Sequence, residues 1–497
     1  MSNLSDLLPS GGGQNIVDFT ASGTVASGKP VVLNANGTVS QVAQTAAGVG
    51  SEYVFEAATA AYTDVSYDSV NNKIVAAYAD NGDSQKGKAV VGTVTGTTIS
   101  WGTPVVFADA VTLDVCIACG GGKAIICYSD SGNSNYATAI AGVVSGDTIN
   151  FGTETVINSG GQLYTPDLLY FSPSDNPTYA HRWIVGYSRN GGRGIVNLIG
   201  ISGTNTIAAS GEYEPAGNNN ASFFGIAYAA DKSGKNIIIT FNDSSDSNKV
   251  KYVRAQWSAG TLPGNLSLGS SNFAATNSTN TSVAWDTSAS KVLLAYKSVA
   301  SSNELRYAVG TFSGTEDITW ETAVNSTATM GDLSPRLAYD SAANKTVIMY
   351  GQDNDSGNGK VAHISISGTT ATIGTIYTFN SGTTVYPNLA YNSTAENVVL
   401  VYQDQGNSSY GTSIIYRDVS TNLTATNFLG LADAAISDTA TGKINVKGSI
   451  NSKQSSLTIG SDYYVQSDGS VSTTSTSPAV KIGQAVTATT INMMDLT

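Results

Sequence analysis

Short apolar runs alternate with polar turns along most of the chain, and the alternation itself repeats. VSYDSVNNKIVAAYAD (65–80) returns as VAWDTSASKVLLAYKS (283–298), LAYDSAANKTVIMYGQ (337–352) and LAYNSTAENVVLVYQD (389–404), with IAYAADKSGKNIIITFND (226–243) slightly longer. In these copies one aromatic follows another at a fixed offset: Tyr67 and Tyr78, Trp285 and Tyr296, Tyr339 and Tyr350, Tyr391 and Tyr402. Each copy reads as a strand, an Asx-rich turn and a second strand. CIACGGGKAIICYSD (116–130), with a shorter turn, and LLYFSPSDNPTYAHRWIVGYSR (168–189), with an insertion in it, complete a series of seven.

A polar loop, a third strand, a tight turn and a fourth strand follow each copy, as in ADNGDSQKG, KAVVGTV, TGTT and ISWGTPVVF (79–107). Four short hairpin-linked strands per repeat predict a propeller blade, so the pattern predicts an all-β chain with a seven-bladed β-propeller of four-stranded blades. Val54 and Phe55 precede the first repeat as Val106 and Phe107 precede the second, whereas the last repeat lacks a clear fourth strand. The segment around 52–57 is therefore expected to complete the last blade and cover its edge. At the flanks, 22–43 and 455–475 each read as a hairpin with an Asn-Gly or Asp-Gly turn, at Gly37 and Gly469. The expected organisation is a propeller over 50–425 inserted into a small β-rich module formed by both termini, 1–49 and 426–497.

Composition narrows the function classes. With 41% hydrophobic residues and 12% charged ones, the 497-residue chain can bury a core and is not a disordered segment. Its 24 basic residues against 37 acidic ones form no cluster, so no nucleic acid is expected as a partner. No apolar run is long enough for membrane insertion, and the first residues lack the basic start and apolar stretch of a signal peptide. Cys116 and Cys119 have CxxC spacing, but no second pair exists and both histidines, His181 and His363, are remote. With Cys127 they read as small buried hydrophobes rather than metal ligands.

The C-terminal segment carries Gly430-Leu-Ala, TGKINVKG (441–448), Tyr463-Tyr-Val followed by Asp468-Gly, and Gly483-Gln-Ala-Val. It resembles a C-terminal β module of virion structural and tail-fibre proteins of tailed bacteriophages, marine ones especially, and the opening 3–29 is similar to the start of many such proteins. The resemblance covers the two ends of the chain. It implies a bacteriophage virion component made in the host cytoplasm, with other tail or capsid proteins as partners and a homo-oligomer as a possible state. A tail fibre or tail appendage presenting the propeller to a host-surface glycan or envelope protein is the expected function. A capsid decoration or head-fibre protein, and a glycan-cleaving, sialidase-like propeller, are the alternatives.

Two sets of loops are candidates for ligand contact on one face of the propeller. Those joining second to third strands are rich in side-chain oxygen: Asp80, Asp83, Asp130, Asn133, Asp243, Asp246, Asp353, Asp355 and Asp404. Such loops suit a glycan or Ca²⁺, but hairpin turns use the same residues; no cofactor is expected, and whether a metal is bound is left open. Tyr62, Tyr164 and Tyr386, at the connections between blades, are candidates for stacking on sugars. No catalytic residue is expected: the seven arginines are scattered, Arg182, Arg189, Arg193, Arg254, Arg306, Arg336 and Arg417, and no Ser-x-Asp-x-Gly-x-x-Trp box stands between third and fourth strands. The chain is accordingly expected not to be an enzyme.

Overall fold

The computed structural model describes residues 15–172, 181–190, 192–203, 205–215, 217, 220–269, 272–275, 277–330, 335–476 and 478–493. The opening segment 3–14 and the insertion at 173–180 lie outside the described residues. Among those described, the regular structure is β-strand interrupted by short 3-10 turns, without an α-helix. The chain divides into two compact units, Gly48–Asp418 and the pair of terminal segments Met1–Ala47 with Val419–Thr497.

In the larger unit the sequence repeats fold as antiparallel meanders. The second half of Tyr53–Asp68 pairs with Lys73–Asp80, which pairs with Lys86–Thr95, which pairs with Thr98–Trp101 and with the start of Val105–Gly120. The rest of Val105–Gly120 then opens the next meander by pairing with Lys123–Asp130. One long strand thus ends as the innermost strand of a meander after beginning as the outermost strand of the one before. Tyr377–Asn392 does the same. Successive innermost strands lie side by side in chain order, and that of the last meander lies against that of the first.

The repeated motif residues have local jobs. Asp68, Asp340 and Asn392 each accept hydrogen bonds from the backbone N–H groups two and three residues on, and Asp286 from Ala289 N, which closes the turn between first and second strands. The aromatic on the second strand is core: Tyr78, Tyr128, Tyr187, Tyr350 and Tyr402 are all fully buried. Apolar clusters fill the space between neighbouring meanders. Val75, Ala77 and Val91 of the first pack with Ile117, Ile126 and Tyr128 of the second, while Ile125 and Cys127 pack with Trp183 and Val185 of the third. All three cysteines are free and buried, Cys116 and Cys127 in one cluster and Cys119 in the other, on opposite faces of their sheet.

The last meander, which ends in Tyr410–Arg417, receives its outer strand from the other end of the unit: Tyr53 lies opposite Ser413, Val54 opposite Thr412, and Val49 opposite Tyr416. The packing there copies that of meanders whose strands are all consecutive. A methyl group added at Gly87 would sit 2.4 Å from the Phe107 ring, one at Gly359 2.3 Å from Phe379, and one at Gly411 2.5 Å from Phe55. In each case an aromatic of the outer strand lies against a glycine of the third.

In the terminal unit, strands from both ends of the chain share one sheet, in the order Ile16–Thr20, Thr441–Val446, Phe428–Ala432, Pro30–Leu33, Val39–Gln41. A second sheet contains Ile450–Asn451, Thr490–Asn492, Val480–Thr487, Asp462–Val465 and Val471–Ser472. Val32 and Val42 share a core with Leu431, Tyr463, Val465 and Ile482. Among the described residues no helix is long and apolar enough to cross a membrane.

The aromatic-on-glycine contact gives a test of the strand supplied from the far end. Gly411→Ala should lower stability by about 1–3 kcal/mol, as overpacking does, and Gly359→Ala by a similar amount. Denaturant melts measure both; an unchanged midpoint for Gly411→Ala would show that Phe55 does not pack there.

Candidate functional site

The innermost strands are not regular. Pairing with the second strand slips between Ala61 and Asp64, Leu113 and Cys116, Tyr164 and Asp167, Ser222 and Gly225, Thr279 and Ser282, and Val385 and Asn388. Each slip is a β-bulge whose first extra residue has a left-handed backbone: Tyr62 at φ 53°, Asp114 at 51°, Thr165 at 45°, Phe223 at 52°, Asn280 at 55° and Tyr386 at 49°. None is glycine, so each stores strain of about 1–3 kcal/mol, and bulges of this kind re-aim side chains. Proline follows at Pro166 and Pro387, where the slip in the ladder requires no backbone donor.

All of these bulges but the one at Asn280 line a cavity of about 150 Å³ bordered by Tyr62, Asp64, Asp114, Asp167, Arg336 and Tyr386, among others. Asp64, Asp167 and Arg336 also border a second cavity of about 420 Å³. The Tyr62 and Tyr386 rings are 4.9 Å apart at an interplanar angle of 43°, both half-buried. Beneath them, Asp64 accepts backbone hydrogen bonds from Val65 (2.7 Å) and, across to the next meander, from Ile117 (2.8 Å). Asp167 accepts likewise from Ile226 of its next meander at 2.6 Å.

Burial dominates the electrostatics. It pushes the Asp64 carboxyl up to about 7, against the opposing pull of its backbone donors and of Arg336. It pushes Asp114 up to about 6, against the Gln162 amide. Asp167 is raised by burial too and drawn back by Arg336. Tyr62 is pushed up to about 12 by burial and then by the Asp114 charge. Carboxyls held near neutrality in a cavity beside aromatic rings can donate as well as accept hydrogen bonds and can exchange protons with a bound molecule.

The sequence candidates divide sharply. Tyr62 and Tyr386 meet in the cavity, and the field of Tyr164, an exposed residue, reaches Tyr62. The loop residues do not enter the cavity. Asp80, Asp130, Asp243 and Asp404 cap the short 3-10 turns that follow them, accepting from Gly82, Gly132, Ser245 and Gly406. Asp80 and Asp83 also bind Lys88, Asp243 and Asp246 bind Lys251, and Asp355 binds Lys360. Asn133 and Asp353 lie in the turns themselves. Among the described residues no group of three or more His, Cys, Asp or Glu is placed to hold a metal ion. Asp64, Asp114, Asp167 and Arg336 were not singled out as a site by the sequence. Aligning the repeats places Asp64, Asp167 and Arg336 at one position, immediately before VSYD, LLYF and LAYD.

A carboxyl that holds its proton more tightly in the folded than in the unfolded chain contributes stability below pH about 4 that is lost as pH rises through about 7. Asp64→Asn removes this term. Relative to wild type, its stability in denaturant melts should rise by on the order of 4 kcal/mol between pH 4 and pH 8. A difference independent of pH would show that Asp64 stays ionised throughout.

No known family matches the chain, and no curated protein does. Solved structures do share its fold. The BP39L lectin from Burkholderia pseudomallei superposes with a TM-score of 0.50 at 11% identity, over 76% of this chain and 99% of that one. A polysaccharide lyase (TM-score 0.40, 9% identity, 74% and 99% covered) and an exo-beta-1,3-galactanase from Phanerochaete chrysosporium (0.30, 10%, 85% and 99%) are also similar. The last two stand against the expectation that the chain is not an enzyme, since their names describe glycan-cleaving proteins. At these scores neither assigns a reaction to this chain.

Proposed function

We propose that Gly48–Asp418 is a seven-bladed β-propeller, its ring completed by the strand around 53–59, and that it binds a glycan in the bulge-lined cavity. The Tyr62–Tyr386 pair over a floor of carboxyls and a guanidinium carries this reading. Sugars present an apolar face of C–H groups to aromatic rings and a rim of hydroxyls to polar side chains, and this cavity offers both. The lectin of similar fold supports it. The terminal unit, with its resemblance to modules of tailed-bacteriophage virion proteins, fits a particle component that presents the propeller to host-surface glycan.

The test is a glycan array followed by calorimetry on the full chain. A bound glycan should lose about tenfold in affinity in Tyr62→Ala and in Tyr386→Ala, the amount an aromatic contact of about 1–1.5 kcal/mol represents. Unchanged affinity in both variants would place the glycan elsewhere, and no glycan bound at all would refute the reading.

A further inference from the structure

Arg336 is the one cation bordering either cavity among the described residues. It occupies the repeat position that Asp64 and Asp167 occupy in their own meanders, where the others carry Cys116, Gly225, Ser282 and Asn388. Its field reaches both aspartates, yet its Nε is buried without a hydrogen-bond partner. A buried donor left unmade is costly, and a planar guanidinium fork matches a carboxylate in two parallel hydrogen bonds.

We infer that Arg336 receives the carboxylate of an acidic sugar, a hexuronate or similar, whose ring rests against Tyr62 and Tyr386. This rests on the glycan reading above and names the class of glycan. The groups that face Arg336 are Asp64 and Asp167, with Asp114, Cys116, Tyr62 and Tyr386 bordering the same space. The direction of their effect is fixed. Burial makes Asp64, Asp114 and Asp167 shed charge at higher pH than ordinary carboxyls do. As pH falls through the raised range of Asp64 and Asp114 the Arg336 charge is less compensated and the anionic sugar is held more tightly; toward pH 8 the ionised aspartates compete for the guanidinium and repel the ligand. A neutral sugar has no such dependence on Arg336.

The experiment is calorimetry of the full chain with methyl glucuronoside and methyl glucoside at pH 5 and pH 8, on wild type, Arg336→Gln and Arg336→Lys. The expected result is a preference of about tenfold or more for the glucuronoside at pH 5, shrinking at pH 8. Arg336→Gln should abolish that preference by lowering glucuronoside affinity far more than glucoside affinity, and Arg336→Lys should restore part of it. Equal affinity for the two sugars in wild type, with glycan binding intact, would overturn the inference and leave the glycan reading standing. Binding of neither, nor of any other glycan, would overturn both. Should Arg336→Gln fail to fold by circular dichroism, the wild-type preference and its change with pH decide.

Discussion

An innermost strand has a ladder partner on one side only, and its remaining backbone N–H groups must still be satisfied. That requirement sets the chemistry at the centre of the larger unit. Asp64 takes the N–H of Ile117, Ser66 that of Cys119, Asp167 that of Ile226, and Thr165 that of Phe223. Each bond crosses from one meander to the next, so the acids, with Ser66 and Thr165, stitch neighbouring innermost strands together where no ladder joins them. Their burial follows from that position, and their resistance to ionisation follows from their burial. A site with acid–base character is therefore a by-product of satisfying the backbone, and Arg336 stands out because a guanidinium, which accepts nothing, cannot do the same job.

The repeats preserve what every meander needs and vary where only one is needed. The Asx residue that closes the first turn and the buried aromatic of the second strand recur because they solve local problems common to all. The bulge residues differ at each turn of the chain: Tyr62, Asp114, Thr165, Phe223, Asn280, Tyr386. Near-symmetry of scaffold with asymmetry of lining gives the cavity an oriented set of side chains rather than a ring of equivalent ones. The same left-handed backbone delivers a different side chain to the cavity at Tyr62, Asp114, Thr165, Phe223 and Tyr386.

The all-β meanders were legible because alternation and turn residues act over a few positions, and both are written locally. The tyrosines at 62 and 386 were legible from their place between repeats. The loop acids were read with an open choice that sequence does not decide, since a carboxylate that caps a turn and one that holds a ligand sit in the same oxygen-rich stretches. Asp80 and Asp243 bind the lysines of their own hairpins, Lys88 and Lys251, eight residues on in each case. The cavity floor was hidden for the opposite reason: Asp64, Asp167 and Arg336 come from separate repeats and meet only when the meanders stand side by side. Only a residue-by-residue alignment of the repeats carries that signal, and none of the three looks unusual within its own segment.

The borrowing of an outer strand from the opposite end has a consequence for synthesis. Residues 53–59 leave the ribosome early, but their partner, Tyr410–Arg417, follows some 350 positions later. At roughly 5–20 residues per second, the early strand waits on the order of 20–70 s with an unpaired edge. Phe55, buried at the end of the process, is exposed to solvent for all of it. Every other meander can be completed as it emerges, whereas this strand shares its wait with Ile16–Thr20 and Pro30–Leu33, whose partners Thr441–Val446 and Phe428–Ala432 come later still, and a nascent chain stalled before residue 410 would display these edges to any neighbour able to pair.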